Sequence, residues 1–355
     1  MSTVHVVGPA EVSDPARPSG GNTYHRMMCT ELAALGWTTR ERLVELGPPA
    51  QQGAPTQTMG GLLASIPDRS VVLLDGLVAL PMPAVLVPEA DRLRLVVVVH
   101  LPLGLDPGGG PDPERRAAEG AVLRAAAAVV TTSRWTRDWL LAAHPLEPSR
   151  VHVVTPGVQP ADLARGSPAG GRLLCVGAVS ATKGHDVLVD ALAAVSDLDW
   201  ACRCIGSVDV ERDLARRVVD RARDLGLGER VVFTGPRVGA ELEAEYAVAD
   251  VLVAPSRIET YGLVVTEALA RGVPVIGARV GGLPEAMGTT PDGHRPGVLV
   301  PPADAASLGA VLRGWLTDAA MREGLRAAAR TRRATLGDWS DPARRLSAVL
   351  SVVAA

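Results

Sequence analysis

Runs of apolar residues divide the first half of the chain into short elements. The segments TVHVVG (3–8), SVVLLDG (70–76) and LRLVVVVH (93–100) are almost continuously apolar rather than alternating. This pattern is typical of parallel strands whose two faces are both covered by helices. Apolar residues at three-to-four spacing predict helices over residues 23–36 and 114–127. A strand, a glycine-bearing loop and a helix in this order indicate a doubly wound α/β domain.

The same alternation starts again in the second half. Residues 157–171, GVQPADLARGSPAGG, are rich in proline and glycine and have no apolar period, so they predict a linker. Strands and helices then alternate again from residue 172 onwards. A restart of this kind predicts two Rossmann-like α/β domains with a ligand cleft between them. The N-terminal domain is predicted to span residues 1–160 and the C-terminal domain residues 161–335. Residues 336–355 are predicted to form a last helix that packs separately or back on the N-terminal domain.

Composition and charge narrow the class of protein. A chain of 355 residues exceeds one comfortable core, and its net charge of −3 leaves no basic face for nucleic acid. The first ten residues lack the pattern of a signal peptide, and no apolar run reaches the roughly 18 residues of a membrane helix. We therefore expect a cytoplasmic protein with no stable membrane insertion.

The cysteines predict neither disulfides nor a metal site. Cys29, Cys175, Cys202 and Cys204 show no CxxC motif and no Cys/His spacing typical of metal ligands. Cysteine is among the most frequently buried residue types. Four buried free thiols are the resulting prediction.

Two acids in residues 251–286 offer the clearest chemistry. Glu259 lies in a predicted loop after a strand, and Glu267 lies in an apolar helix predicted to open near Tyr261–Gly262. A helix N-terminus between two carboxylates provides an anion site flanked by hydrogen-bond acceptors. This order matches the sugar, diphosphate and ribose of a nucleotide-diphosphate sugar. In the alternative interpretation, Glu267 only offsets the dipole of its own helix.

Three further signals accompany these acids. Lys183 is the single lysine among 36 basic residues, and a compact ammonium suits a phosphate. His100 follows a predicted strand at the sheet edge where such folds bind ligands, although a structural histidine is the alternative. Gly20 and Gly21 allow a ligand to approach the backbone closely, and a flexible turn is their alternative.

These residues resemble a known family. Glu259, Tyr261, Gly262 and Glu267 match the E-x-[FY]-G-x4-E signature of retaining GT-B glycosyltransferases of family 4, known as glycosyl transferases group 1. Weaker motifs match in the expected order from the first glycine loop to about residue 305. They are Gly20–Gly21, His100, TPGVQ (155–159), Lys183–Gly184, FTGPRV (233–238) and GGLPE (281–285).

The resemblance implies a role for each matching position in binding the donor. Glu267 would hold the ribose, Glu259 would hold a sugar hydroxyl, and Lys183 would neutralise the leaving diphosphate. His100 would reach the donor sugar, and Gly20–Gly21 would admit phosphate and acceptor. The backbone of Tyr261, Gly262 and Leu263 would contact the diphosphate and the sugar. The backbone of Arg237 and Val238 would line the base.

One position departs from the family pattern. Many members carry arginine five residues before the lysine, and this chain has Ala178 there. One of two phosphate cations is therefore missing, which weakens donor binding unless another arginine, with Arg237 and Arg257 as candidates, replaces it.

The resemblance implies transfer of a sugar from a nucleotide-diphosphate sugar to a hydroxyl, with retention of configuration and with neither metal nor cofactor. The departing phosphate oxygen would take the acceptor proton. Two alternatives are a non-catalytic nucleotide-sugar binder, which the missing arginine favours, and a GT-B epimerase acting on the nucleotide sugar itself. A soluble small-molecule or glycoside acceptor is expected, because RWTRDWLL (134–141) is a weak candidate for a lipid-facing helix.

Overall fold

The computed structural model describes residues 2–45, 53–105 and 112–355. They form two compact units, each with its own sheet. The first contains the described residues of Met1–Ser13, Gly21–Gly157 and Asp338–Ala355, and the second contains Asp14–Gly20 and Val158–Gly337. The sequence-based boundaries fall at 160 and 335, and they placed residues 14–20 with the first domain.

The first unit is built on a parallel sheet with the strand order β2-β1-β3-β4-β5-β6. Its strands are β1 Thr3–Pro9, β2 Thr38–Val44, β3 Val71–Asp75, β4 Arg94–Val99, β5 Ala128–Thr131 and β6 Val151–Val153. Its helices up to the linker are α1 Gly20–Ala34, α2 Gly53–Ala64, α3 Gly76–Ala79, α4 Pro83–Glu89, α5 Pro113–Ala125 and α6 Arg134–Ala143. All residues of β3 are buried, as are those of β4 after Arg94, which confirms the prediction of strands covered on both faces.

The second unit repeats this architecture with the strand order β12-β11-β10-β7-β8-β9. Its strands are β7 Arg172–Val176, β8 Ala201–Ile205, β9 Val231–Gly235, β10 Val251–Ala254, β11 Val275–Ala278 and β12 Gly297–Val300. Its helices are α7 His185–Ala193, α8 Arg212–Asp224, α9 Ala240–Val248, α10 Leu263–Ala270, α11 Leu283–Met287, α12 Ala305–Thr317 and α13 Ala319–Arg333. The predicted α/β class with two doubly wound sheets is thus confirmed.

The last helix, α14 Ser340–Ala354, belongs to the first unit, where it contacts β3 and β4. Trp37 Nε1 donates a hydrogen bond to Ser347 Oγ at 2.8 Å, and the ring of Trp339 lies edge-on to Tyr24. Between β6 and β7, residues 154–171 form neither helix nor strand. Among the described residues, no helix has both the length and the apolar character that crossing a membrane requires.

The structure corrects two sequence-based expectations. Gly20 and Gly21 are not part of a loop, because α1 already begins at Gly20; the first turn of a helix has no internal partners for its N–H groups, so glycine is tolerated there. The edge strand β2 was missed because its sequence TTRERLV is mostly exposed and has no apolar run. The predicted Pro/Gly-rich loop after His100 lies partly outside the described residues, at 106–111.

Candidate functional site

The two motifs with the strongest chemistry follow neighbouring strands of the second sheet. Strands β7 and β10 pair in parallel, with Leu173 opposite Val251. The loop after β7 carries Lys183, and the loop after β10 carries Glu259. The chain leaves β7 towards β8 on one side and returns to β10 on the other. Such a topological switch point is where open α/β sheets form a ligand-binding crevice.

Lys183 and Glu259 contact each other directly at this switch point. Lys183 Nζ lies 2.7 Å from Glu259 Oε2, and the two side chains are 31% and 11% exposed. Gly177, at φ +150°, lies beside the aliphatic part of Lys183, since a Cβ atom there would be in van der Waals contact with its Cγ and Cδ atoms at 3.4 Å. Two residues that are 76 positions apart in the sequence therefore form one charged pair.

A glycine-rich backbone surrounds the start of α10. Gly262 adopts a left-handed conformation at φ +100°, and the helix begins at Leu263. The Gly281–Gly282 loop packs on the backbone of Glu259 and Thr260, and Gly282 N donates to Glu259 O at 2.8 Å. A side chain at either glycine would collide with this backbone. The first turn of α10 thus starts beside Glu259, and the first N–H groups of a helix have no partners within the helix.

Tyr261 directly precedes Gly262 at the start of this turn. It is half-buried and packs against the core of the second unit, and burial raises the pKa of its hydroxyl to about 12. The phenol therefore stays protonated near neutral pH. Tyr261, Gly262 and Leu263 are consecutive in the turn, as the predicted diphosphate contacts require.

Glu267 is not an isolated acid, because a neighbouring helix supplies its partner. The Tyr246 hydroxyl on α9 donates to Glu267 Oε2 at 3.0 Å. Arg271 lies over the Tyr246 ring, donates to the Glu267 carbonyl at 2.7 Å and forms an ion pair with Glu243. Burial nevertheless raises the pKa of Glu267, which the Tyr246 hydrogen bond and the Arg271 charge lower only in part.

The sequence analysis missed Tyr246. The only local signal is a tyrosine in the otherwise aliphatic and acidic helix AELEAEYAV, and its partner lies 21 positions away.

The two arginines considered as substitutes for the missing cation have other partners. Arg257 donates to both carboxylate oxygens of Asp186, at 2.7 and 2.5 Å, and its backbone N–H donates to the Thr182 carbonyl. It therefore fixes the loop that carries Lys183. Arg237 lies in the loop between β9 and α9, next to the exposed Val238, and forms an ion pair with Glu241 at 2.9 Å. Of the described buried side-chain atoms, its Nε is one of six without a hydrogen-bond partner.

In the first unit, His100 directly follows β4 and lies against Gly21, Tyr24 and Asp75. Its Nε2 is 3.5 Å from Asp75 Oδ2, and its ring is edge-on to Tyr24 at 5.2 Å. A Cβ atom on Gly21 would be in ordinary van der Waals contact with the His100 ring at 3.4 Å, so the ring packs beside the start of α1. Burial lowers the pKa of His100, and the Asp75 charge opposes this shift.

Asp75 is a second residue that the sequence analysis missed. It ends β3, caps α3 through the Leu77 N–H and is 5% exposed. Gly20 groups with the second unit, where a Cβ atom on it would lie 3.2 Å from Leu263 Cδ1.

Comparison with known proteins identifies the family of the chain. Residues 170–318 match the family described as glycosyl transferases group 1, and residues 42–157 match the glycosyl transferase 4-like domain. D-inositol 3-phosphate glycosyltransferase 1 of Catenulispora acidiphila is 35% identical over 87% of this chain and 79% of its own. The D-inositol 3-phosphate glycosyltransferase of Salinispora arenicola is 34% identical over 54% of this chain and 49% of its own.

Solved structures share the fold over nearly the whole chain. A sucrose-phosphate synthase from Thermosynechococcus elongatus superposes with a TM-score of 0.80 at 22% identity, covering 99% of both chains. HepE from Anabaena, in complex with UDP-glucose, gives a TM-score of 0.79 at 16% identity, covering 99% of this chain and 100% of its own. The chain therefore belongs to the glycosyl transferases group 1 family and is a glycosyltransferase with the GT-B fold.

Proposed function

We propose that this glycosyltransferase moves a sugar from a nucleotide-diphosphate sugar to a hydroxyl of a small soluble acceptor, with retention of configuration. The observation that carries the proposal is the Lys183–Glu259 pair at the switch point of the second sheet. In the proposal, Lys183 is the cation for the diphosphate, and the neighbouring Glu259 accepts a hydrogen bond from a sugar hydroxyl. HepE, which shares the fold of this chain, has been solved in complex with UDP-glucose, and this supports a nucleotide sugar as the donor.

The proposed donor extends along α10. The free N–H groups at Leu263 and the ammonium of Lys183 face the diphosphate, and both act where negative charge develops as the sugar leaves. Glu267 accepts the ribose hydroxyls from its position four residues further along the helix. Tyr246 keeps one Glu267 oxygen in place by its hydrogen bond.

In the proposed reaction, the bond between the sugar C1 and the phosphate oxygen breaks while a bond from C1 to the acceptor oxygen forms on the same face. The acceptor proton moves to the departing phosphate oxygen, so no carboxylate has to act as a nucleophile. Glu259 is bound to Lys183 and Glu267 is bound to Tyr246, which suits them to orient substrate rather than to attack it. The ammonium of Lys183 supplies the charge stabilisation that a metal ion provides in other transferases.

The acceptor is proposed from chemistry and from the named relatives. Two of them are called D-inositol 3-phosphate glycosyltransferases, so a phosphorylated polyol is the first acceptor to test. A non-catalytic nucleotide-sugar binder is the second candidate, favoured by Ala178 in place of the expected arginine.

The test uses the purified chain with a panel of UDP-, GDP- and ADP-sugars, with and without D-inositol 3-phosphate and other soluble polyols. Release of nucleoside diphosphate that depends on the acceptor, together with an NMR product of unchanged anomeric configuration, supports the proposal. Donor binding without turnover under every acceptor supports the binder. A changed sugar in the absence of acceptor indicates an epimerase. The Lys183→Ala variant, which is expected to have a strongly reduced rate, serves as the comparison.

A further inference from the structure

Three side chains of the first unit that the transfer reaction does not use converge on one point. His25 and Cys29 are four residues apart on α1, so they lie on the same face of the helix. Glu41 comes from the neighbouring edge strand β2. The imidazole nitrogen, the sulfur and the carboxylate oxygen all lie within 4.8 Å of one another, and His25 Nε2 is 3.4 Å from Glu41 Oε2.

These separations fit a bound transition metal. Zn²⁺ binds nitrogen and oxygen ligands at about 2.0–2.1 Å and thiolate at about 2.3 Å in a tetrahedron. Two such ligands on one ion are therefore about 3.3–3.6 Å apart. The His25–Glu41 separation already has this value, and the Cys29 sulfur lies within 4.8 Å of both atoms.

Close packing against β1 fixes the position of the His25 imidazole. Its ring lies directly over Gly8 in β1, where a Cβ atom would be 2.5 Å from Cε1 and 2.8 Å from Nδ1. His25 and Cys29 are 6% and 7% exposed, whereas the Glu41 side chain is 48% exposed. The two buried ligands are thus fixed by the core, and the third leaves a route for an ion from solvent.

The positively charged residues near His25, Cys29 and Glu41 do not prevent a cation from binding between these three side chains. Arg40 and Arg42 flank Glu41 on β2, and successive side chains of a strand point to opposite faces. The cavity lined by His25 and Cys29 also contains Asp75 and His100 in its wall. No cation is part of this lining.

We propose that His25, Cys29 and Glu41 form a binding site for one divalent transition metal ion, with Zn²⁺ as the ion that best suits the mixed nitrogen, sulfur and oxygen ligands. Three protein ligands leave the fourth tetrahedral position for water. The bound ion links α1 to the edge strand β2. The site lies in the first unit and shares none of its three ligands with the proposed donor site.

The site is tested on the full chain after removal of metal with a chelator. Zn²⁺ is titrated in competition with a chromophoric chelator, and Co²⁺ is added in a parallel experiment. We expect one ion per chain and a thiolate-to-cobalt charge-transfer band in the near ultraviolet. Absence of stoichiometric binding would overturn the proposal.

Substitutions then assign the ligands. Glu41→Gln, at an exposed position that tolerates the change, should weaken Zn²⁺ binding at least about tenfold, the loss seen even when an outer-shell partner of a metal ligand is removed. Glu45→Gln, at the exposed residue just after β2, is its matched control and should bind as the unmodified chain.

Cys29→Ser should abolish the charge-transfer band, and Cys202→Ala, at a buried thiol of the second unit, should retain it. A band that survives Cys29→Ser, or equal affinities for Glu41→Gln and Glu45→Gln, contradicts the assignment.

Discussion

Lys183 Nζ and Glu259 Oε2 are 2.7 Å apart, so the two residues proposed to hold the donor diphosphate and sugar neutralise each other in the free protein. A diphosphate that approaches Lys183 has to compete with this carboxylate. Binding of the donor is therefore an exchange of ionic partners for Lys183. The sugar of an intact donor offers Glu259 a new hydrogen-bond partner, and the diphosphate offers Lys183 a new ionic partner. A nucleoside diphosphate replaces only the partner of Lys183 and leaves Glu259 without one.

Glu259→Gln separates these two contributions. The variant should bind nucleoside diphosphate about two- to fivefold more tightly, because an ion pair of this partly exposed kind contributes up to ~1 kcal/mol that the ligand no longer has to replace. The transfer rate should fall, because the sugar loses its carboxylate contact. Calorimetry with the nucleoside diphosphate and steady-state kinetics with the donor measure the two effects.

The control for Glu259→Gln is Asp197→Asn, which breaks the exposed ion pair with Arg313 and should change neither quantity. Weaker binding of the nucleoside diphosphate to Glu259→Gln would show that the carboxylate does not compete for Lys183.

Lys183→Ala should lower the transfer rate about 10²- to 10³-fold, the usual effect of removing one group that stabilises developing negative charge. The fold should change little, since the side chain is 31% exposed. Lys183→Arg should recover part of the rate, because guanidinium keeps the charge but not the compact shape. Kinetics and thermal unfolding are compared for the three chains, and wild-type turnover in Lys183→Ala would remove Lys183 from the mechanism.

Tyr246→Phe tests whether the hydrogen bond to Glu267 matters for the nucleotide. Its loss should weaken binding of nucleoside diphosphate by about three- to tenfold, the effect of one hydrogen bond of ~0.5–1.5 kcal/mol. A 2′,3′-dideoxynucleoside diphosphate lacks the ribose hydroxyls, so its affinity should be the same for both chains.

Tyr24→Phe removes another buried tyrosine hydroxyl, which donates to the Val154 carbonyl in the first unit, and it should leave nucleotide affinity unchanged. If Tyr246→Phe weakens the dideoxy compound equally, the effect comes from packing and not from the ribose contact.

The sequence revealed the residues whose position is fixed by local order, and it missed those whose partners come from elsewhere. His100 was predictable because it ends an apolar strand, and Glu259 and Glu267 because eight positions span one strand-to-helix turn. Asp75 and Tyr246 act through contacts across 25 and 21 positions, which no local pattern encodes. The four cysteines are buried and form no disulfide, as predicted. The site proposed for Cys29 departs from the prediction that none of them binds a metal.

Strand β2 was missed for a related reason, because no local pattern in its sequence marks it as a strand. It is an exposed edge strand, so its sequence carries no apolar run, and it brings Glu41 to the face of α1. Spacing along α1 alone pairs His25 with Cys29 but gives no third ligand. The roles of the donor-site residues stay predictions that the variants above address.

The pH dependence of nucleotide binding should report Glu267. Burial raises the pKa of its carboxyl group above the ordinary value for glutamate. The ionised form accepts the ribose hydroxyls, so affinity should be full above this raised pKa and decline as the pH falls through it. The decline should therefore begin at a higher pH than an exposed glutamate would give. Calorimetry across pH measures the midpoint, and Glu267→Gln should lose this transition.

The stability of the protein should have the opposite dependence at this residue. A pKa that is higher in the folded than in the unfolded chain means that the folded state holds the proton more tightly. The contribution of Glu267 to stability is therefore fully present below its unfolded pKa and is lost as the pH rises through its folded pKa. Comparison of unfolding free energies between the unmodified chain and Glu267→Gln isolates this term.

Ala178→Arg tests whether the missing arginine limits donor binding. Ala178 is half-buried in the loop that carries Lys183, so an arginine there can extend towards the same diphosphate. One added charge-assisted hydrogen bond of ~1.5–3 kcal/mol should tighten donor binding at least about tenfold. Ala178→Gln, which adds length without charge, is the matched control.

Equal donor affinity for the Arg and Gln variants would mean that another arginine already supplies the second charge. Arg257 is held by Asp186, whereas Arg237 keeps its Nε free of partners among the described residues, so Arg237→Gln would then be the variant that loses affinity.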